Sequence, residues 1–118
     1  MDTSYKDYIC IDILGHIDGI YSKQMFGGYG IYKDGTIFAI IANNQLYFKV
    51  DNTNKSQYEN LDSQPFIYTG KIKPIQMSYW EVPESIMENP ETIEAWLNQS
   101  LTISIKNKIT KKRKGDKK

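Results

Sequence analysis

Residues 25–50 constrain the fold most, because they alternate between strand-forming runs and tight turns. The runs "GYGIY", "TIFAIIA" and "QLYFKV" are rich in β-branched and aromatic residues, and "KDG" and "NN" separate them. Such dipeptides favour the turns of β-hairpins, so the segment predicts a three-stranded antiparallel meander. In the third strand, alternate residues face a core on one side and at least partly face solvent on the other. The two sets are Leu46, Phe48 and Val50, and Gln45, Tyr47 and Lys49.

Helical patterns flank and interrupt this meander. From Thr3 to about Gly15, apolar residues recur every three or four positions and predict a helix with one broad apolar face. The stretch "NTNKSQYENLDSQ" predicts one or two helical turns. In "ENPETIEAWLNQSLTISIKNKI", Asn89 fits the cap and Pro90 the first helical position, and the apolar spacing predicts a closing amphipathic helix.

Two further strands complete the predicted sheet. "PFIYTG" and "IQMSYWEVP" are rich in strand-forming residues and are joined through "GKIKP". Pro83 ends the second of them because proline cannot donate to a strand ladder. The predicted fold class is α+β: an antiparallel five-stranded sheet with helices packed on one face, in the order α-β-β-β-α-β-β-α.

The distribution of charge divides the chain. Residues 106–118 hold eight Lys/Arg and one Asp, a net charge of about +7, and residues 1–105 hold seven bases and thirteen acids, a net charge of about −6. With 118 residues, 40% of them hydrophobic, the chain suits one folded domain. A polar, highly charged run cannot bury enough surface to order itself. We therefore predict a domain over residues 1–109 and a disordered basic tail over residues 110–118.

Cysteine use and hydropathy indicate the cellular setting. The single cysteine, Cys10, cannot form an internal disulfide and has no Cys or His at metal-ligand spacing, which fits a reducing compartment. No apolar run approaches the roughly 18 residues of a membrane span, and the N-terminus "MDTSYKDYICID" is unlike a secretory leader. The sequence predicts a cytoplasmic protein that does not engage a membrane.

The stretch "MFGGYGIYKDG", residues 25–35, raises the question of phosphate binding. A dinucleotide-binding loop needs Gly-x-Gly-x-x-Gly opening a helix, but Lys33 takes the place of the last glycine and a strand pattern follows. Sheet geometry explains the glycines better, with Gly27 and Gly28 at positive φ or in a bulge and Gly30 letting a neighbouring side chain lie flat on the backbone. The sequence predicts no cofactor.

Nucleic-acid binding has two candidate locations. Aromatic residues interleaved with lysines on the strands suit a base-stacking sheet, but aromatics are favoured in strands for packing alone and the body of the chain is acidic. The basic tail would give salt-dependent, sequence-independent attraction to phosphates, and the alternative is a solvated tail that aids solubility. The tail residues are Lys111, Lys112, Arg113, Lys114, Lys117 and Lys118.

Residues that suit catalysis are few. His16 is the only histidine and lies six positions from Cys10, far round the same helix, so the sequence indicates no pair of nucleophile and base. Glutamates cluster between Glu81 and Glu94, where those near a helix start favour its positive dipole end. The sequence predicts a protein that is not an enzyme. A deep pocket holding His16 or converging acids would instead indicate a small-molecule enzyme or a ligand-binding fold.

Three stretches taken together resemble a known family: "KQMFGGYGIYKDGTIFAIIANNQLYFKVD", "QPFIYTGK" and "MSYWEVPESIMENPETIEAWL". Their distinctive features are Met-Phe-Gly-Gly-Tyr-Gly, the Leu-Tyr-Phe-Lys strand, the Pro-Phe strand start and the Tyr-Trp-Glu-Val-Pro ending. Over about residues 5–101, the chain resembles the N-terminal domain of the TfoX/Sxy family, bacterial regulators associated with natural competence. The resemblance implies an α+β fold akin to that of type III secretion chaperones.

The resemblance also implies a mode of action. Full-length members are understood as co-regulators that work with the cyclic-AMP receptor protein at promoters, and they carry a second, C-terminal domain where this chain has its lysine tail. The family offers no established catalytic residues. We therefore expect a non-enzymatic, protein-binding regulatory module linked to competence or transcription regulation, with nucleic-acid association through the basic tail as the alternative.

The expected contact surface combines the family motif with strand aromatics. A protein partner is expected to bind there, and attraction between the acidic body of one copy and the basic tail of another would allow a homodimer. The residues are Met25, Phe26, Gly27, Gly28, Tyr29, Gly30, Tyr32, Tyr47 and Trp80.

Overall fold

The computed structural model describes residues 4–25, 27–69 and 74–116, with residues 74, 75 and 110–116 described by their backbone alone. A six-stranded antiparallel sheet dominates this part of the chain, in the strand order β1-β2-β3-β4-β6-β5. The strands are β1 (Ile20–Met25), β2 (Gly28–Lys33), β3 (Thr36–Ala42), β4 (Gln45–Lys49), β5 (Pro65–Thr69) and β6 (Pro74–Glu81). The helices are α1 (Ser4–Asp7), which continues as a π-helical segment (Tyr8–Ile13), α2 (Lys55–Glu59), α3 (Glu84–Met87) and α4 (Pro90–Asp116).

The α+β class and the antiparallel sheet are confirmed, but the prediction of five strands is wrong. β1 precedes the meander and pairs with β2, from Ile20 opposite Lys33 to Met25 opposite Gly28. Residues 22–24 at the centre of β1 are polar, because an edge strand keeps one side towards solvent. The sequence of β1 therefore lacks the alternation of apolar and polar residues that would predict a strand. α3 is also absent from the predicted order. The similarity to secretion chaperones stays a prediction.

Helices cover one face of the sheet. Leu46 and Phe48 of β4 belong to one buried cluster with Ile93 and Leu97 of α4, and all four side chains are fully buried. Burying each such side chain contributes roughly 1.5–3 kcal/mol. The predicted alternation of the third meander strand is therefore confirmed on its core side.

A β-bulge between β2 and β3 changes which residues face the helices. Ile31 lies opposite Ala39 and Tyr32 lies opposite Ile37, which leaves Phe38 as the extra residue. Phe38 and Ala39 are both fully buried in the core cluster. Ile37 shares the other face of the sheet with Tyr32.

α4 begins as the sequence predicts and extends further than expected. The Oδ1 atom of Asn89 accepts a hydrogen bond of 3.1 Å from the backbone N–H of Thr92, and Pro90 is the first helical residue. The helical backbone continues to Asp116. Lysine and arginine have good helix propensity, so a basic segment can prolong an existing helix. The division into a domain over residues 1–109 and a tail over residues 110–118 stays a prediction.

Candidate functional site

The face of the sheet opposite the buried cluster forms a groove. Cross-strand pairing places Ile40 opposite Tyr47 and Lys49 opposite Tyr79 on this face. The groove has a volume of about 390 Å³, and its lining is mostly apolar. We call it the apolar groove, and its main side chains are Met25, Ile37, Ile40, Phe66, Met77 and Tyr79.

Glycines give this face its shape. A Cβ atom at Gly28 would overlap the carbonyl oxygen of Ile41, so only glycine lets the two backbones approach this closely. A Cβ atom at Gly30 would lie 2.6 Å from the Sδ atom of Met25, so a neighbouring side chain lies over that backbone as predicted. Gly27 has a φ of 77° and Gly28 has no positive φ, so the predicted positive φ is confirmed at Gly27 alone.

The structure brings several residues of the expected contact surface together. Met25, Gly28 and Tyr29 line the apolar groove. Tyr32 lines an adjoining cleft, described below. Phe26 lies outside the described residues. Binding of a partner to these residues stays a prediction.

Tyr47 and Trp80 are buried, with 8% and 9% of their surface exposed, and not part of an open contact surface. The ring centroid of Tyr47 lies 4.9 Å from that of Phe66. Trp80 lies opposite Phe48 on the helix-covered face, and its ring centroid is 6.5 Å from that of Tyr58. Because aromatic residues in central strands serve packing on either face, these two side chains offer a partner little area.

Edge strand β1 presents an aromatic and basic patch. The rings of Tyr21 and Tyr32 stack, with centroids 5.2 Å apart and planes 7° from parallel. The Nζ atom of Lys23 lies 5.3 Å from the Tyr32 ring centroid, and Tyr21 is 41% exposed. Tyrosine is enriched at protein interfaces because it buries a large rigid area and keeps a polar tip. We call Tyr21, Lys23 and Tyr32 the β1 edge patch.

A second depression adjoins the apolar groove beside α4. It has a volume of about 360 Å³ and shares Ile37 and Tyr79 with the apolar groove. Its residues come from both the sheet and the helix, so the later turns of α4 form one wall. We call it the basic cleft, and its polar side chains are Tyr32, Thr36, Lys49, Tyr79, Ser104, Asn107 and Lys108.

Burial shifts the titration of groups in the basic cleft. The Nζ atom of Lys49 lies 5.0 Å from the centroid of the Tyr79 ring, a cation–π contact. Burial lowers the pKa of Lys49, and nearby Asp51 opposes this in part. Burial also raises the pKa of Tyr79, and the proximity of Tyr32 adds to the effect. Lys49 is therefore less hydrated than an exposed lysine, which strengthens the interaction of its charged form with a bound counter-charge.

The helix side of the basic cleft carries a hydroxyl without a partner. The Oγ atom of Ser104 is buried and makes no hydrogen bond within the described part of the chain. A serine inside a helix can bond the carbonyl one turn back, and a buried polar group without any bond is costly. The Nζ atom of Lys108 lies 3.5 Å from the Oγ1 atom of Thr36 across the cleft. Two ammonium groups and an unpaired hydroxyl suit an anion.

Sequence reasoning alone misses this cleft. The signal available is that Ser100 and Ser104 interrupt the apolar side of α4 one turn apart, where polar residues need partners. Ser100 has its partner, since its hydroxyl donates to the carbonyl oxygen of Lys49. Ser104, Lys49 and Lys108 line the same cleft because of where α4 crosses the sheet, which no local pattern reveals.

The groups considered for catalysis lie apart from both depressions. His16 is exposed, and its Nε2 atom lies 3.9 Å from the Oε1 atom of Glu94. Glu84 and Glu91 occupy the first turns of α3 and α4, where carboxylates favour the helix dipole. Among the described residues, no group of three or more His, Cys, Asp or Glu side chains could hold a metal ion. No His, Asp or Glu lines the described walls of the groove or the cleft.

The tail residues expected to contact nucleic acid are placed only in part. The backbone of residues 111–114 continues α4, and Lys117 and Lys118 lie outside the described residues. Nucleic-acid binding by this segment stays a prediction. None of the helices in the described ranges combines the length and the apolar character needed to cross a membrane.

Comparisons with known proteins agree with the motifs. The family model of the TfoX N-terminal domain matches residues 12–103. The DNA transformation protein TfoX1 of Aliivibrio fischeri is 21% identical over 82 residues, which cover 70% of this chain and 39% of that protein. Protein Sxy of Escherichia coli is 24% identical over 109 residues, which cover 92% of this chain and 52% of Sxy. The chain therefore spans about half the length of these relatives or less. Because the family model covers most of the chain, this chain belongs to the family of the TfoX N-terminal domain, as its motifs predict.

Proposed function

We propose that this chain is a regulatory module that acts by binding another protein and not by catalysis. The match to the TfoX N-terminal domain over residues 12–103 is the observation that carries this proposal. One relative is named a DNA transformation protein, which supports a role in competence or in transcription regulation. Such a role belongs in the cytoplasm.

The proposed contact surface is the β1 edge patch. β1 has a strand neighbour on one side only in the described sheet, so an extended segment of a partner can pair with its outer edge. Tyr21 and Tyr32 would supply buried aromatic area, and the exposed Lys23 favours a segment that carries an acidic residue. This surface keeps Tyr32 of the predicted set and replaces the buried Tyr47 and Trp80.

A binding assay with matched variants tests this proposal. Tagged wild-type chain, the double variant Tyr21→Ala/Lys23→Glu and the control Leu61→Ser are incubated with purified cyclic-AMP receptor protein and, separately, with bacterial lysate. Leu61 is 45% exposed and lies outside the strands, so its replacement leaves the patch intact. We expect a protein that the wild type and the control retain and the double variant loses. Equal recovery of this protein by the wild type, the double variant and the control would reject the patch. If no protein binds specifically, either from the purified receptor protein or from the lysate, the protein-binding role would be rejected.

Association with nucleic acid is a second candidate function. Residues 106–118 carry a net charge of about +7. The helical backbone of α4 continues through Asp116, so most of the lysine and arginine residues in this segment belong to one continuous helix. Fluorescence-anisotropy titration against duplex DNA and single-stranded RNA at two salt concentrations tests it. We expect salt-sensitive binding that deletion of residues 110–118 abolishes. No binding at low salt would reject this function, and binding that survives the deletion would move the site onto the sheet.

Self-association follows from the same charge division. The acidic body and the basic segment of two copies would attract each other and form a homodimer. Sedimentation velocity of the full chain and of the chain without residues 110–118 separates the cases. A dimer that persists without these residues would contradict this origin.

A further inference from the structure

The apolar groove and the basic cleft are neighbours that share Ile37 and Tyr79 in their walls, and we call the two together the depression. The β-bulge places Ile37 on this face of the sheet. One end of the depression is apolar and the other holds Lys49 and Lys108. A molecule that fills both ends must therefore be amphipathic.

The apolar end has the size and lining of a small-molecule site. Its volume of about 390 Å³ lies in the range of about 300–1,000 Å³ that ligand pockets span. Met25, Ile40, Phe66 and Met77 are only partly buried, so each keeps apolar surface that a ligand could remove from water. Methionine side chains adapt to ligands of different shape because they are unbranched and flexible. This end suits an alkyl chain or an apolar ring.

The basic end suits a single anionic group. Lys49 is partly buried and contacts Tyr79, Lys108 reaches across to Thr36, and the buried hydroxyl of Ser104 has no partner among the described residues. A carboxylate or phosphate would accept a hydrogen bond from each of the two ammonium groups. No described residue that lines the cleft carries a carboxylate, although Asp51 lies near Lys49 and offsets its charge in part.

The lining favours a small molecule over a nucleic-acid backbone. A nucleic-acid backbone needs a run of exposed lysine or arginine side chains to neutralise its phosphates. Here one of the two cationic side chains is partly buried against an aromatic ring, and no lysine or arginine lines the apolar groove in the part of the chain that the structure describes. We propose that the groove and the cleft together bind an amphipathic anion, a small molecule with an apolar chain or ring and a carboxylate or phosphate at one end. This site shares Tyr32 with the β1 edge patch, but it does not depend on the protein-binding role proposed above.

Titration calorimetry with a matched set of probes tests the proposal. Decanoate, decyl phosphate, decanol and acetate are titrated into the full-length chain below their aggregation concentrations. We expect one decanoate or one decyl phosphate to bind per chain and acetate not to bind. Decanol should bind at least about tenfold more weakly than decanoate, since a charge-assisted hydrogen bond is worth about a factor of ten in affinity. A tighter complex with decanoate than with the more highly charged decyl phosphate would favour a carboxylate as the natural head group. Binding of neither anion, or equal binding of decanol, would overturn the proposal.

Variants at each end distinguish a site from unspecific binding. Lys49→Gln and Lys108→Gln should each weaken decanoate about tenfold without affecting decanol. Lys106→Gln is the matched control, because Lys106 is exposed on the same helix and does not line the cleft. Met77→Gln should weaken decanoate and decanol together. Equal effects of Lys106→Gln and Lys108→Gln would contradict the basic end of the site.

A measurement on the unmodified chain is independent of variant folding. Methyl NMR spectra of the wild type should show decanoate-dependent shifts of Ile37, Ile40 and Met77, which line the groove. The methyl groups of Ile93 and Leu97, in the core on the other face, should shift little. Shifts confined to the core or absent throughout would overturn the proposal.

Discussion

The hydroxyl of Ser100 donates a hydrogen bond of 2.8 Å to the main-chain carbonyl oxygen of Lys49, which ties α4 to the end of β4. Ser100 is fully buried, and the other bond to this carbonyl, from the Nδ2 atom of Asn54, is longer at 3.4 Å. Ser100→Ala should lower the free energy of unfolding by about 1–2 kcal/mol, because the carbonyl loses its better partner. Urea denaturation measures this change.

Thr102→Ala is the control for that experiment. Its exposed hydroxyl donates to the carbonyl of Asn98 within the same helix, so it ties no elements together. The control should change the free energy of unfolding by less than about 0.5 kcal/mol. Equal losses in both variants would show that the bond between Ser100 and Lys49 adds nothing beyond helix propensity.

The two adjacent glycines of the family motif should respond differently to alanine. At Gly28 a Cβ atom would overlap the backbone of Ile41, so β2 and β3 must separate, at a cost of about 2–3 kcal/mol. At Gly27 no atom lies within 4 Å of the added Cβ, and the φ of 77° costs about 1 kcal/mol. Chemical denaturation of Gly28→Ala and Gly27→Ala gives both values. A Gly28→Ala chain as stable as Gly27→Ala would contradict the close approach of the strands.

Tyr58 should make the fold sensitive to alkaline pH. Burial raises the pKa of its hydroxyl well above the ordinary value of 10.0. Above about pH 10 the unfolded chain loses this proton and the folded chain keeps it, so stability is complete below that pH and falls above it, by up to about 1.4 kcal/mol per pH unit. Tyr58→Phe should remove this part of the decline between pH 8 and pH 11, as measured by unfolding free energies.

The matched control for Tyr58 is Tyr68→Phe, at a ring that is 46% exposed. At pH 8 Tyr58→Phe should cost about 1 kcal/mol or less, since Ser100, the polar group that acts on the Tyr58 hydroxyl, already donates its own hydrogen bond to the carbonyl of Lys49. The same pH dependence in both variants would rule out Tyr58 as the source of the alkaline loss.

The thiol of Cys10 should react slowly in the folded chain. Burial raises its pKa, and Lys6 and a hydrogen bond with Ser22 offset this only in part. Because the thiolate is the reactive form, alkylation by iodoacetamide at pH 8 should be slower in the folded chain than in urea. Lys6→Gln should slow it further by removing the nearby positive charge. Mass spectrometry follows the reaction, and equal rates in folded and unfolded chains would contradict the raised pKa.

Local sequence signals predict the meander and the start of α4. Alternation along residues 45–50 and the Asn89–Pro90 pair each specify an element through contacts a few residues apart. β1 escapes prediction because residues 22–24 are polar, and only pairing with β2 makes them a strand. The length of α4 escapes it because composition alone suggested a solvated tail, whereas a helix already nucleated can continue into it.

The candidate site is much less predictable than the fold. Tyr32 and Tyr47 both lie on the face away from the helices, yet Phe66 from a distant strand covers Tyr47. Which of the two alternating sets of side chains along a strand stays exposed depends on such long-range packing. Lys49 and Ser104 line the same cleft only because α4 crosses the end of β4, and neither has a neighbour in sequence that marks it as part of a cleft.

The extra residue of the β-bulge interrupts the alternation of core-facing and outward-facing residues along β3. Beyond the bulge, the odd-numbered residues Ala39 and Ile41 belong to the core, and so does the extra, even-numbered residue Phe38. The number of residues between Thr36 and Ala39 therefore determines which side chains of β3 lie on each face of the sheet. Deleting the extra residue would leave Ile37 outside and Ala39 inside but would remove the buried ring of Phe38 from the core, whereas a length change in the turn at Asp34–Gly35 would leave all three in place.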